Sequence, residues 1–119
     1  MFTYNFEKLE IWKLSLQVIK EVKKITKKFP LEERYVLVDQ IKRAALSIGL
    51  NVAEGWGRKT KKDFGRFISN AIGSTLEVIA CLKVAHNLGY LKEGEVKELD
   101  ELLKELYFKL LKFSEYLKR

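Results

Sequence analysis

Four runs of apolar residues spaced three and four apart fill this chain, and three short breaks separate them. The last run is the most regular: Val96, Leu99, Leu103, Leu106, Leu110, Phe113 and Leu117. The first reads Leu9, Trp12, Leu16, Ile19, Val22, Ile25 and Phe29. Spacing of this kind lines one face of an α-helix. The breaks fall at Phe29-Pro30, at Gly55-Trp56-Gly57 and at Gly89. The pattern predicts helices over residues 7–28, 31–56, 61–88 and 93–118, behind a short extended or frayed arm at residues 1–5. No strand-like alternation is present. Long helices with short connections give an all-α, antiparallel up-down-up-down four-helix bundle, one domain over residues 1–119.

Local signals agree with these boundaries. Proline disfavours helix for the residue before it and suits a helix start, so Pro30 separates the first two helices. Glu32 and Glu33 then suit the positive end of the helix dipole. Thr60 followed by Asp63 resembles a capping box, with Asp in place of Glu. Gly89 offers a left-handed stop from which Tyr90 and Leu91 can fold back. In the third helix Phe64, Ile68, Ala71, Thr75, Val78, Leu82 and Ala85 form the core line. A second line, Phe67, Ile72, Leu76, Ile79 and Ala80, broadens it, and Gly65, Ser69 and Gly73 form a small-residue row that allows close backbone approach.

The stretch from Gln40 to Arg58 stands apart. Ile41, Ala44, Ile48, Val52 and Gly55 mark its apolar stripe. Beside the stripe runs a line of Gln40, Ser47, Asn51 and Glu54, with Arg58 just beyond. A wet helix face ordinarily carries long charged side chains. Small polar groups next to the core instead suggest contacts to protein. They read as a fold-and-assembly seam, with hydrogen bonds between helices or subunits fixing a register that apolar packing alone would let slide.

Composition limits the function classes. The net charge is +7, with 15 Lys/Arg against 8 Asp/Glu in residues 1–66 and eight of each in residues 67–119. Such an excess points to a polyanion, nucleic acid first. Lys20, Lys23, Lys24, Lys27 and Lys28 crowd the end of the first helix, where the dipole favours cations, though five exceed what that end requires. Arg58, Lys59, Lys61, Lys62 and Arg66 surround Thr60 beside Trp56, which offers phosphate contacts and a stacking surface. The single cysteine, Cys81, lies on an apolar face, so no intrachain disulfide forms. No basic-then-apolar leader and no membrane span are read, so no membrane partner is expected and the expected location is cytoplasmic.

Catalytic and metal motifs are missing. The one histidine, His86, has Lys83 three residues before it, not the Glu of a di-iron bundle, and no arginine four to seven before it, as some small helical ribonucleases require. Gly55-Trp56-Gly57 lacks the strand and the Lys-Ser/Thr of a phosphate loop. Glu54 beside Arg58 fits an ion pair better than a general base. The expectation is no catalytic residue, no metal and no cofactor. An enzyme working through Glu54, Asn51 and Arg43 is the least favoured reading.

Specific segments resemble the four helix bundle protein family, whose founding members are encoded in intervening sequences of bacterial large-subunit (23S) rRNA genes. The matching residues are Ile11-Trp12, Phe29-Pro30 with Glu33, Gln40 with Arg43-Ala44, Ser47-Ile48, Asn51 to Gly55, Arg58, Phe64, Phe67, Gly73-Ser74 and Gly89-Tyr90-Leu91. Gly49 departs from the pattern, which has proline there, so the second helix is expected to be straighter. The family is similar to the accessory protein of diversity-generating retroelements. That resemblance implies a homopentamer binding nucleic acid and a reverse transcriptase through basic surface.

The expected function is a non-enzymatic, oligomeric accessory protein. It would bind RNA or DNA through Lys23, Lys24, Lys27, Lys28, Arg43, Arg58, Lys59, Lys61, Lys62 and Arg66. The wide apolar faces of the second and third helices call independently for a homo-oligomer. The alternative is a protein-binding scaffold that docks an acidic enzyme such as a reverse transcriptase, or a ribonucleoprotein.

Overall fold

The computed structural model describes all residues, 1–119. Four helices, α1 (Glu10–Thr26), α2 (Leu37–Trp56), α3 (Lys61–Asn87) and α4 (Glu93–Leu117), form an antiparallel bundle measuring 44 × 31 × 22 Å. α1 packs on α2 and α4, and α3 on the same two, with the α2–α3 pairing the most extensive. The core lines expected of α2, α3 and α4 are buried, apart from half-buried Val96 and Phe113.

In α1 the buried face is rotated from the expected one. Ile11, Leu14, Ser15 and Val18 are buried, whereas Leu9, Trp12 and Ile19 are half-buried and Leu16 is exposed. The expected line joins the buried one only at Val22, Ile25 and Phe29. Gly49 accounts for part of the difference. A Cβ there would lie 2.8 Å from Ser15 Oγ and 3.1 Å from the Trp12 ring. The missing side chain lets α1 come close with Ser15 inward, its hydroxyl donating to the Trp12 carbonyl at 2.6 Å. α2 runs unbroken through Gly49.

Two helices begin later than the periodicity suggests. Asn5–Lys8 is a 3-10 turn closed by Leu9 in extended conformation, and α1 starts at Glu10. The arm before it is exposed, with rings touching in series from Phe2 through Tyr4 and Phe6 to Trp12. After Pro30, Leu31–Glu33 is another 3-10 turn, and Val36, at φ −117° and ψ −88°, breaks the chain before α2. Leu31, Tyr35 and Val36 are exposed, so no core burial offsets the ordering of another helical turn there. α2 is therefore 20 residues, about 30 Å instead of about 40 Å.

The connections bear out most of the local signals. Thr60 Oγ1 accepts from the Asp63 amide at 3.1 Å. Asp63 does not reciprocate. Its Oδ1 accepts from Arg66 Nε and Nη2 at 3.1 and 2.9 Å. Gly89 has φ +81°, the Tyr90 amide bonds the Ala85 carbonyl at 3.0 Å, and Leu91 is buried. Tyr90 stacks at a tilt on Phe29 and donates its hydroxyl to Glu33 Oε2 at 2.6 Å. That bond to a carboxylate, with desolvation and the Glu33 charge, pushes the Tyr90 phenol from 10.0 up to about 12.

Because the folded value is raised, the contact contributes fully below pH 10 and is lost as pH rises through about 12. Ultraviolet titration should show one tyrosine ionising near pH 12, later than an ordinary phenol. Tyr90→Phe should abolish that late phase. Its persistence in the variant would break the assignment.

The small-residue row on α3 behaves differently from expectation. A Cβ at Gly65 or Gly73 would meet no atom within 4 Å, and Ser69 is exposed. Close helix approach occurs at Gly49 and Gly55 instead. The second apolar line of α3 is also only partly covered, since Leu76 and Ala80 are exposed. By length and composition α3 would pass as a membrane span, contrary to expectation. Here it packs between α2 and α4 with 39% of its most apolar window buried.

Candidate nucleic-acid interface and the α2–α3 polar seam

The polar line on α2 sits along its edge with α3. Ser47 Oγ and Ser74 Oγ are 2.8 Å apart, and Gln40 donates through Nε2 to Glu77. These two residues make the inter-helix bonds expected of the seam. Asn51 and Glu54 do not reach α3. Asn51 Nδ2 donates back to the Ser47 carbonyl and hydroxyl at 2.9 and 3.1 Å. Glu54 Oε2 accepts from Arg58 Nη2 at 3.0 Å, an ion pair within one helix end. Arg43, Leu46, Ser47, Leu50, Asn51 and Glu54 line a shallow open groove on the outer side of α2.

The antiparallel fold divides the candidate cations into two groups. Lys23, Lys24, Lys27 and Lys28 lie at the end of α1, beside the start of α4, where Lys28 pairs with Glu95 at 2.5 Å. That hydrogen bond, helped by the Lys92 amide and nearby lysine charge, holds the Glu95 carboxyl below its usual range. Arg43 lies in the second turn of α2 and is tied to Asp39 at 3.0 Å. Arg58, Lys59, Lys61, Lys62 and Arg66 lie at the opposite end, between α2 and α3. The ten residues therefore make no single surface.

The second end has cations that counting by chain halves concealed. α4 is strongly polarised along its length. Residues 93–101 hold five acids and one lysine, whereas residues 102–119 hold five cations and two acids. The fold lays the last part of that segment, residues 109–119 with four cations and one acid, beside residues 54–66, which hold five cations and two acids. These two segments carry +6 of the net +7. Lys118 thus joins the basic turn, whereas Lys112 lies on the α1 side of the same end, near Glu10. Lys109 is bound to Glu10 at 2.7 Å and Glu105 at 2.8 Å, and these bonds hold its ammonium above the ordinary lysine value. Reading charge along each helix, not by halves, would have exposed this end.

Aromatic groups accompany the charge. Trp56 is 43% exposed and meets Phe64 edge-on, and Phe64 in turn meets Phe113. Tyr116 is 53% exposed, with Lys61 Nζ 5.4 Å from its ring centre. Arg58 and Arg66 lie 4.4 and 4.5 Å from the Phe67 ring centre. Gly55 sets this geometry, since a Cβ there would lie 2.7 Å from the Phe64 ring and 2.9 Å from Phe67 Cβ. The resulting end combines phosphate-binding cations with exposed ring faces.

The single histidine and the single cysteine lie apart from that end, on the second half of α3. His86 is at the surface, 3.0 Å from Glu93. Cys81 is buried, and desolvation with the Glu77 charge pushes its thiol up. No set of three His, Cys, Asp or Glu side chains converges to hold a metal ion.

The helices and their charge define a small all-α four-helix-bundle protein with one cationic end. The model of the 23S rRNA-intervening sequence protein family matches residues 7–112, and the chain belongs to that family. The fold is also similar to a solved structure from Bacteroides thetaiotaomicron VPI-5482, a protein with unknown function from the S23 ribosomal protein family. The two share a TM-score of 0.80 and 20% identity, over 87% of this chain and 97% of that one. No curated protein matches the chain.

Proposed function

We propose that this protein is a non-enzymatic accessory protein that binds RNA or DNA with the end formed by residues 54–66 and 109–119. The carrying observation is the +6 charge that the fold gathers there beside exposed Trp56 and Tyr116. Lys61 and Lys62 sharpen the reading. They occupy the first turn of α3, where the helix dipole disfavours cations. The lysines closing α1 stand at a dipole end that favours them, so their placement has a structural reason.

The proposal includes a homo-oligomer, with five copies as the retroelement-accessory resemblance implies. Leu46 and Leu50 on α2, Leu76 and Val84 on α3, and Leu88 just after α3 are exposed large apolar residues. A second copy covering them would remove apolar surface from water. The accessory role would be played in the cytoplasm. The second reading, docking of an acidic protein or ribonucleoprotein, uses the same cationic and aromatic end. A pull-down that survives nuclease treatment would favour it.

Binding to structured RNA and duplex DNA should be measured against salt. With about six phosphate contacts, affinity should fall by ~10³ between 50 and 200 mM salt. Absent binding at low salt, or a flat salt slope, would reject nucleic-acid recognition. Light scattering should show an oligomer at micromolar concentration, and a clean monomer would reject the assembly. Asn51→Leu should disturb assembly more than binding per subunit, because it alters the outer α2 groove and leaves the cationic end intact. The opposite result would show these roles exchanged.

A further inference from the structure

The cationic end is not a flat patch. A cleft of about 430 Å³ opens between the first turns of α3 and the last turn of α4. Lys61, Lys62 and Arg66 line its α3 wall, and Lys118 and Ser114 line its α4 wall. No carboxylate lines it. Ligand sites commonly span ~300–1,000 Å³, so the opening has room for a nucleotide-sized group.

Several of these cations retain donors. Lys62 makes no ion pair. Arg66 gives Nε and Nη2 to Asp63, which leaves Nη1. Lys118 meets Glu115 at 3.3 Å, with both side chains about 70% exposed. Hydroxyls of Ser69 and Ser114 add neutral donors to opposite walls. Cations and hydroxyls converging without an acid match the acceptor oxygens of a phosphate.

Two features here lower the stability of the isolated chain. Lys61 and Lys62 oppose the helix dipole. Gly65 weakens a helix interior, yet its φ is not left-handed and a Cβ would meet nothing within 4 Å. Neither packing nor backbone conformation requires glycine at this position. Both features favour a group entering the cleft, since bare backbone at residue 65 leaves space and the lysines supply charge.

We propose that this cleft seats a backbone phosphate of the bound nucleic acid, with Lys62 and Lys118 closing on it from the two walls. The proposal rests on the nucleic-acid reading above and assigns it one defined point of grip. Ser69 and Ser114 orient the phosphate oxygens, and Gly65 lets the sugar-phosphate chain approach α3.

Fluorescence anisotropy with a labelled single-stranded RNA in 50 mM salt tests it. The variants are Lys62→Glu with Lys118→Glu, and Lys20→Glu with Lys42→Glu. Both pairs change net charge equally, and neither Lys20 nor Lys42 lines the cleft. A third variant, Gly65→Leu, fills the cleft without changing charge. Circular dichroism should show all three folded.

The cleft pair should weaken binding ~30-fold or more, Gly65→Leu ~10-fold, and the distant pair less than ~3-fold. Equal losses from the two pairs, with Gly65→Leu binding like wild type, would overturn the cleft while nucleic-acid binding stood. No RNA binding by the wild-type protein would overturn both. If Gly65→Leu were unfolded, Ser69→Leu would replace it as the filling variant and decide the same point.

Discussion

Gly49→Pro should destabilise the protein by about 3 kcal/mol or more, a large share of the ~5–15 kcal/mol typical of a single domain. Residue 49 lies in the interior of α2. Proline there removes an amide hydrogen bond and presses its ring on the carbonyl four residues earlier. Its Cβ adds a second conflict, because that position is 2.8 Å from Ser15 Oγ and 3.1 Å from Trp12. The pattern that this sequence resembles has proline at this position. The prediction is therefore specific to this chain's packing of α1 on α2. Urea denaturation of Gly49→Pro and Gly49→Ala should show both less stable, with proline much the worse. A neutral proline variant would mean that α2 bends readily and that the Ser15 contact is not what selects glycine.

Gly55→Val should cost about 1–3 kcal/mol by overpacking, at the upper end of that range. A Cβ at residue 55 would lie 2.9 Å from Phe67 Cβ, an atom fixed to the α3 backbone, so a rotamer change cannot relieve the contact. α2 and α3 would have to separate at the basic end. The same variant should weaken nucleic-acid binding even where it remains folded, because Arg58 rests on the Phe67 ring and Lys61 begins the helix displaced. Thermal denaturation and anisotropy on the same sample separate the two losses. Full binding by a destabilised but folded variant would show that the α2–α3 spacing does not position the cations.

These glycines show what the sequence made legible. The stripe containing Gly55 was visible from spacing alone, and with it three of the four core lines and the antiparallel bundle. The reason for each glycine was not visible, because spacing along one helix does not say which neighbour comes close. The row Gly65, Ser69 and Gly73 looked like the place of close approach, yet it faces open space. The buried face of α1 departs from its apolar spacing because Ser15, a polar residue, is buried while Leu16 is not.

The candidate site was legible in part for a related reason. The basic turn is local in sequence, so Arg58 to Arg66 was readily found. Lys118 and Ser114 lie more than 45 residues away and reach it only through the α3–α4 packing. The polar line on α2 is also legible, but spacing does not distinguish Gln40 and Ser47, which cross to α3, from Asn51, which bonds within α2, and Glu54, which bonds Arg58 just after it.

The unequal charge of the two ends gives the molecule a direction. A long-range field drawn from one end favours end-on encounter, with association rates that fall as ionic strength rises. Cyclic assembly through the flanks of α2 and α3, with helix axes along the ring axis, would turn every such end toward the same side. A ring built that way would have one face that attracts a polyanion strongly and one that does so weakly, and its valency on the strong face would equal its number of subunits.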